Sequence, residues 1–252
     1  MELTAEQPTV LTPGSLPAGR TIAVPDTGRV DLWMMRPSQY SAGLRAASAV
    51  LDENERARYH ALVRQADRDR YATAHIVLRL LLGAYLGTEP ARVVLARDAC
   101  PVCGGPHGRP VVAGGGPHFS LSHGGDMVLV AIASDPVGVD VEQLPETAVV
   151  DRLLGTLHPR ETAELTALEP KDRRTGFGRC WSRKEAYLKG TGTGLARGVD
   201  GVYVGTGPEP RAPYGWDLAD VPVGPGYTAA VALQTAQRSP FGQVASGVSA
   251  GG

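Results

Sequence analysis

The sequence is short of cysteine, of net charge and of long apolar runs, and each shortage removes a class of protein. Three cysteines in 252 residues make an odd count without a disulfide framework, which favours reduced thiols in the cytoplasm over a secreted scaffold. A formal net charge of −1 supplies no global field that would draw the chain to nucleic acid or to an anionic membrane. The longest apolar stretch, near residues 76–82, is interrupted by Arg79 and falls far short of a membrane span. The start, Met1-Glu2-Leu3-Thr4-Ala5-Glu6, has neither the basic residues nor the apolar run of a secretory signal.

What is present is ordinary in amount and uneven in placement. Hydrophobic residues make up 42% and charged residues 20%, which suits a globular protein with a sizeable core. The glycines and prolines cluster. Residues 8–28 are rich in Pro, Gly and Thr, so 1–28 are expected to form a loose arm. Residues 235–252, ending Ser246-Gly247-Val248-Ser249-Ala250-Gly251-Gly252, read as a disordered tail.

Between these ends the chain repeats itself. Val30–Met35 alternates as a strand, and Asp52 with Glu55 three residues later makes a capping box at a helix start. A longer helix runs through Tyr71 to Leu86, with Ile76, Val77, Leu80 and Leu81 as its buried side, and Val93–Leu95 and Met127–Ala133 read as strands. In the second half Val137–Val141 is a strand, and Leu157-His158-Pro159-Arg160-Glu161 opens a helix with Pro at its first position. A helix carrying Trp181 to Lys189 and ended by Gly190 follows, then strands near Gly201–Val204 and Tyr227–Leu233. A shift of 106 residues lays Leu51 on Leu157, Glu55 on Glu161, Arg68 on Arg174 and Leu82 on Leu188. The fold expected is therefore α+β, with two similar α/β halves related by pseudo-twofold symmetry, residues 29–134 and 135–234. Two such halves would meet in a cleft, a common place for a ligand.

Two segments of the second half carry the chemistry. In Gly138-Val139-Asp140-Val141-Glu142, strand alternation puts Asp140 and Glu142 on one face. In Trp181-Ser182-Arg183-Lys184-Glu185-Ala186-Tyr187-Leu188-Lys189, Glu185 and Lys189 lie one helical turn apart. Three carboxylates suit a hard cation such as Mg2+, and a neighbouring lysine suits a phosphate. The first half lacks these groups: its equivalents are Met34, Arg36, Arg79 and Gly83.

These two segments resemble the 4′-phosphopantetheinyl transferase family, in its larger, monomeric, Sfp-type branch. Gly108-Arg109-Pro110, Phe119-Ser120-Leu121-Ser122-His123 and Leu157-His158-Pro159-Arg160-Glu161 support the resemblance in the family's order, over about residues 30–235. The resemblance implies transfer of phosphopantetheine from coenzyme A to a serine of an apo acyl or peptidyl carrier protein, releasing 3′,5′-ADP. It also implies Asp140, Glu142 and Glu185 as Mg2+ ligands, Glu185 as general base, and Lys189 as the group that meets the departing phosphate. Ser122, His123 and Arg109 are implied as coenzyme A contacts. Arg64, Arg68 and Arg70 are candidates for its 3′-phosphate, with Arg70 the best aligned. Trp181, Tyr187 and Leu188 read as packing residues.

One motif stands apart. Cys100-Pro101-Val102-Cys103, followed by His107, is a possible zinc half-site. A structural zinc needs a fourth ligand, and neither His118 nor Cys180 has a supporting spacing. An ordinary cysteine-containing loop is expected instead, and a zinc-binding interaction or nucleic-acid-binding protein without catalysis is the rival reading. That rival would need a second paired half-site and a basic surface, and the sequence has neither.

Overall fold

The computed structural model describes residues 7–12, 15, 17, 19–40, 47–194 and 198–235. The segment expected as a loose arm is partly ordered: β1 (Thr9–Val10) pairs in parallel with β2 (Val30–Met35), and Leu11 is buried in the core. Of the tail, residues 236–252 lie outside the described residues.

After β2 come α1 (Glu53–Ala61) and α2 (Gln65–Leu86), then β3 (Leu95–Arg97), β4 (Pro110–Val112), β5 (His118–Gly124) and β6 (Met127–Ala133). The chain continues as β7 (Val137–Gln143), α3 (Thr147–Leu153), α4 (Pro159–Thr166), α5 (Pro170–Thr191), β8 (Trp216–Asp220) and β9 (Tyr227–Gln234). One antiparallel set runs β2-β6-β5 and another runs β7-β9-β8, while β3 and β4 form a separate ribbon. β2 leads into two helices and β7 into three, and each is then paired by the last strand of the following hairpin. Both helix pairs open on the same device. Asp52 caps α1 with Glu55 returning to the Asp52 backbone, and His158 caps α4 with Glu161 returning to the His158 backbone.

The two sheets pack face to face. β6 is buried on both sides, which is why Met127–Ala133 is apolar without alternation. Its Val128, Val130 and Ile132 join Ile76, Val77, Leu81 and Leu82 of α2, whereas Met127, Leu129 and Ala131 meet Val137, Val139 and Val141 of β7. The alternate residues of β7, Gly138, Asp140 and Glu142, are thereby turned toward α5. Small Ala230 and Ala232 on β9 let Phe177, Cys180, Ala186 and Leu188 of α5 settle onto that sheet.

The closest approach decides where the site forms. A methyl group on Gly138 would lie 1.9 Å from the Ala186 carbonyl oxygen, and one on Gly190 would lie 2.6 Å from the Trp216 ring. Glycine at both positions therefore allows α5 to cross directly over β7. Gly190 consequently does not end the helix, contrary to the expectation from the sequence. It is helical, and the left-handed cap is Gly192, with φ 76° and its N–H donated to the Lys189 carbonyl.

Two expected strands are also corrected. Gly201–Val204 is irregular, because the Val204 N–H is taken by Glu161 Oε1 at 2.7 Å and its carbonyl by Arg211 N at 2.8 Å. Val93 closes a turn onto Pro90 and gives its carbonyl to Arg79 Nη1 at 2.8 Å, so the strand there begins only at Leu95.

Candidate active site

The serines of β5 join the two sheets and set the floor of the site. Val139 N donates to Ser120 Oγ at 3.0 Å and Val141 N to Ser122 Oγ at 3.3 Å, so the buried neighbouring edges of β5 and β7 are bridged by hydroxyls. Ser122 also donates to Asp140 Oδ1 at 2.8 Å. Lys189 Nζ, reaching down from α5, lies 2.7 Å from the same Asp140 oxygen and 2.9 Å from Ser122 Oγ. Asp140 is 1% exposed, and its second oxygen, Oδ2, is buried without a hydrogen-bond partner. A buried carboxylate oxygen left bare is costly unless a cation completes it.

Glu142 and Glu185 complete the cluster. Burial first, and then the Asp140 charge with Glu185 adding, pushes Glu142 up to about 7, against a partial offset from Lys189. Glu185 is raised by burial and then by Asp140. These shifts mark three acids that repel one another around a shared space, with one lysine to answer them. The chemistry of the donor set suits a divalent cation, since it is hard oxygen, one oxygen is unpartnered and negative charge is in excess, although the three carboxylates are not gathered within 4.8 Å of one another.

Around the acids is a cavity of about 520 Å3 lined by both halves, with Ser120, Ser122, His123, Asp140, Glu142, Glu185, Lys189, His75 and Arg109 on its walls. Arg97 and Arg109 also line the cavity. His123 opens into the cavity, and its pKa is lowered by loss of water and then by Arg70, with His75 and Lys189 contributing. Arg109 is held by Asp98 (Nε to Oδ2, 3.1 Å) and donates from Nη1 to the Gly190 carbonyl at 3.1 Å, so it braces the end of α5 at the cavity rim.

The structure thus brings Asp140, Glu142, Glu185, Lys189, Ser122, His123 and Arg109 to one cavity. Arg70 does not line it. That residue is paired to Asp67, donates to the Gly125 carbonyl at 3.2 Å, and faces an adjoining groove. Arg64 is exposed at the start of α2, and Arg68 Nε is bound to the Leu62 carbonyl at 2.7 Å. Trp181 packs against Phe177 with ring centroids 5.8 Å apart, which steadies α5.

Sequence reasoning missed His75. The residue lines the cavity from α2 with Nδ1 held by Glu55 Oε1 at 3.0 Å and its ring stacked on Tyr71 at 4.1 Å. The buried capping glutamate was the available signal, since a buried Glu needs cationic partners. Sequence reasoning also left Arg183 and Lys184 without roles. Arg183 forks onto Asp220 at 2.7 Å and 2.7 Å, and Lys184 pairs with Glu161 at 2.6 Å, all three of these contacts being structural.

Comparison with known proteins agrees with this geometry. A family profile described as the 4′-phosphopantetheinyl transferase superfamily matches residues 136–217, which run from β7 through α5. The 4′-phosphopantetheinyl transferase HetI of Nostoc sp. is 32% identical over 174 residues, covering 67% of this chain and 70% of the relative. A putative 4′-phosphopantetheinyl transferase of Synechocystis sp. is 30% identical over 159 residues, 61% of this chain and 62% of that protein. A 4′-phosphopantetheinyl transferase of Bacillus subtilis is 28% identical over 179 residues, 69% and 74% of the two chains. With the paired acids of β7 and the Glu-x3-Lys of α5 inside the matched region, the chain belongs to the 4′-phosphopantetheinyl transferase superfamily and is an enzyme of that class.

Proposed function

We propose that this enzyme moves 4′-phosphopantetheine from coenzyme A to a serine of an apo acyl or peptidyl carrier protein, with Mg2+, and releases 3′,5′-ADP. The observation that carries the reading is the bare Asp140 Oδ2, with Lys189 beside it and Glu142 and Glu185 lining the same cavity. Asp140, Glu142 and Glu185 would hold the cation. Bound there, Mg2+ supplies neutralisation of the pyrophosphate oxygens and of the leaving phosphate.

The remaining work falls to side chains. Glu185, kept more basic by burial and by Asp140, takes the proton from the attacking serine hydroxyl, directly or through a water. Lys189 carries its charge beside the departing phosphate and can deliver a proton to it. Ser122, His123 and Arg109 offer donors to phosphate oxygens, and Arg109 can grip two at once. On this reading residues 29–134 form the nucleotide side and 135–234 the metal side, with coenzyme A between them. The carrier would dock beside α5, where Glu185 is reachable. Both sides lie in one chain, so a monomer has a complete site.

Intact mass spectrometry of an apo carrier protein incubated with enzyme, coenzyme A and Mg2+ tests the reading. A phosphopantetheine adduct on the carrier serine is expected. No adduct on any of several acyl and peptidyl carriers would reject it.

A further inference from the structure

The loop from Asp98 to Arg109 contains a second cluster that the transfer chemistry does not use. Ligand atoms of Cys100, Cys103 and His107 all lie within 4.8 Å of one another. Cys103 Sγ is 2.9 Å from His107 Nε2. Gly105 N donates to Cys103 Sγ at 3.4 Å. An N–H···S bond stabilises thiolate charge, the form a metal requires. The peptide is wound tightly about the sulfurs: Gly104 N donates to the Cys100 carbonyl and Cys100 N to the Gly105 carbonyl, each at 2.7 Å, with Gly104 at φ 72°. A methyl group on Gly105 would sit 3.3 Å from both Cys103 Sγ and His107 Nε2, so glycine leaves the space beside these ligands open.

The dimensions suit a tetrahedral ion. At ordinary Zn–S and Zn–N lengths, sulfur–sulfur and sulfur–nitrogen ligand separations come to about 3.8 and 3.6 Å. The 2.9 Å Cys103–His107 contact needs to open only slightly to reach that geometry. Two sulfurs and an imidazole are soft ligands, unlike the oxygen set at Asp140, Glu142 and Glu185, and they select zinc over magnesium. All three cysteines are free thiols, so Cys100 and Cys103 are not consumed by a disulfide.

We propose that Cys100, Cys103 and His107 bind one zinc ion, with water or another small ligand in the fourth position. Among the described residues no further thiolate, imidazole or carboxylate joins the group, so neither His118 nor Cys180 is a ligand. The zinc takes the place of a hydrophobic core in a loop that has almost none, Cys100 being its one buried apolar residue. It thereby positions the loop's far end, where Gly108 N donates to the Asp98 carbonyl at 3.0 Å and Arg109 reaches the Gly190 carbonyl. His107 itself lines the carboxylate cavity, so the ion would sit at its rim. The inference stands on its own ligands and does not depend on the magnesium reading.

The test uses the full chain expressed with added zinc and purified under reducing conditions without chelator. Elemental analysis should find about one equivalent of zinc per chain. Cobalt replacement in the wild type should give the thiolate-to-metal charge-transfer absorption of a sulfur-ligated ion. Cys103→Ser and His107→Ala should each lose the zinc, whereas Glu185→Gln should keep it. If either variant fails to fold, the wild-type cobalt spectrum still decides. Trace zinc with both thiols titratable, a Cys100–Cys103 disulfide in the reduced preparation, or zinc retained in Cys103→Ser and His107→Ala would each overturn the proposal.

Discussion

The two halves use the same device at the start of their helix pairs and answer it from different places. In the first half the capping glutamate Glu55 is 6% exposed and is met by fully buried Arg79, with Nε 2.6 Å from Oε2. In the second, the capping glutamate Glu161 is fully buried and is met by Lys184 at 2.6 Å. The 106-residue shift places Arg79 on Glu185, not on Lys184. The structural cation has therefore moved one residue earlier in α5, and the position it would have held carries a carboxylate that faces the cavity. Stability and chemistry occupy neighbouring residues of one motif, and they should separate under mutation.

The largest effect expected is on activity. Glu185→Gln should lower transfer by roughly 10²–10⁴-fold, while its urea midpoint stays level or rises because Asp140 loses a repelling neighbour. A midpoint falling as far as activity would mean that position 185 is structural, like position 79. The converse is Lys184→Met, which strands the Glu161 carboxylate in the core and should cost about 3–5 kcal/mol in chemical denaturation. Arg79→Met should fall in the same range, since it strands Glu55. A neutral Lys184→Met would break the equivalence of the two pairs.

Gly138→Ala should be smaller in stability, about 1–3 kcal/mol, yet should also reduce transfer. The added methyl meets the Ala186 carbonyl and shifts α5, with Glu185 and Lys189, away from Asp140. Gly155→Ala, with open space around it, is the control and should change neither. The smallest effect is on acid stability. The pKa of Glu55 is lowered below 4.5: burial opposes the shift, and His75, the Asp52 backbone and Arg79 together outweigh it. The sign follows directly. Its stabilisation is present above the unfolded pKa and is lost as pH falls through the lower folded value. Glu55→Gln should flatten the acid limb of a stability–pH profile below pH 4.5, and an unchanged slope there would remove Glu55 from the balance.

Local pattern made much of this legible. Alternation in Val137–Val141 placed Asp140 and Glu142 on one face, the glutamate spacing revealed the capping box at Asp52, and the repeat marked which half holds the acids. The unseen features were long-range. Nothing local distinguishes the Ser120 and Ser122 hydroxyls as bridges between two strand edges, because their partners are backbone N–H groups about twenty residues on. Gly190 read as a helix end because glycine often is one; only the crossing over Gly138 explains it inside the helix. His75 and Lys184 were hidden for the same reason, since each is defined by a glutamate on another helix. Cys100, Cys103 and His107 have no fourth ligand at a metal-site spacing in the sequence, whereas the loop's hydrogen bonds bring the three together without one.

Calorimetric titration of Mg2+ into chelator-treated protein with coenzyme A present tests directly whether the carboxylates of β7 and α5 form the metal centre. Wild type should bind about one equivalent, and folded Asp140→Asn and Glu185→Gln should bind far more weakly or not at all. Equal Mg2+ binding by both variants, or none by the wild type, would contradict it.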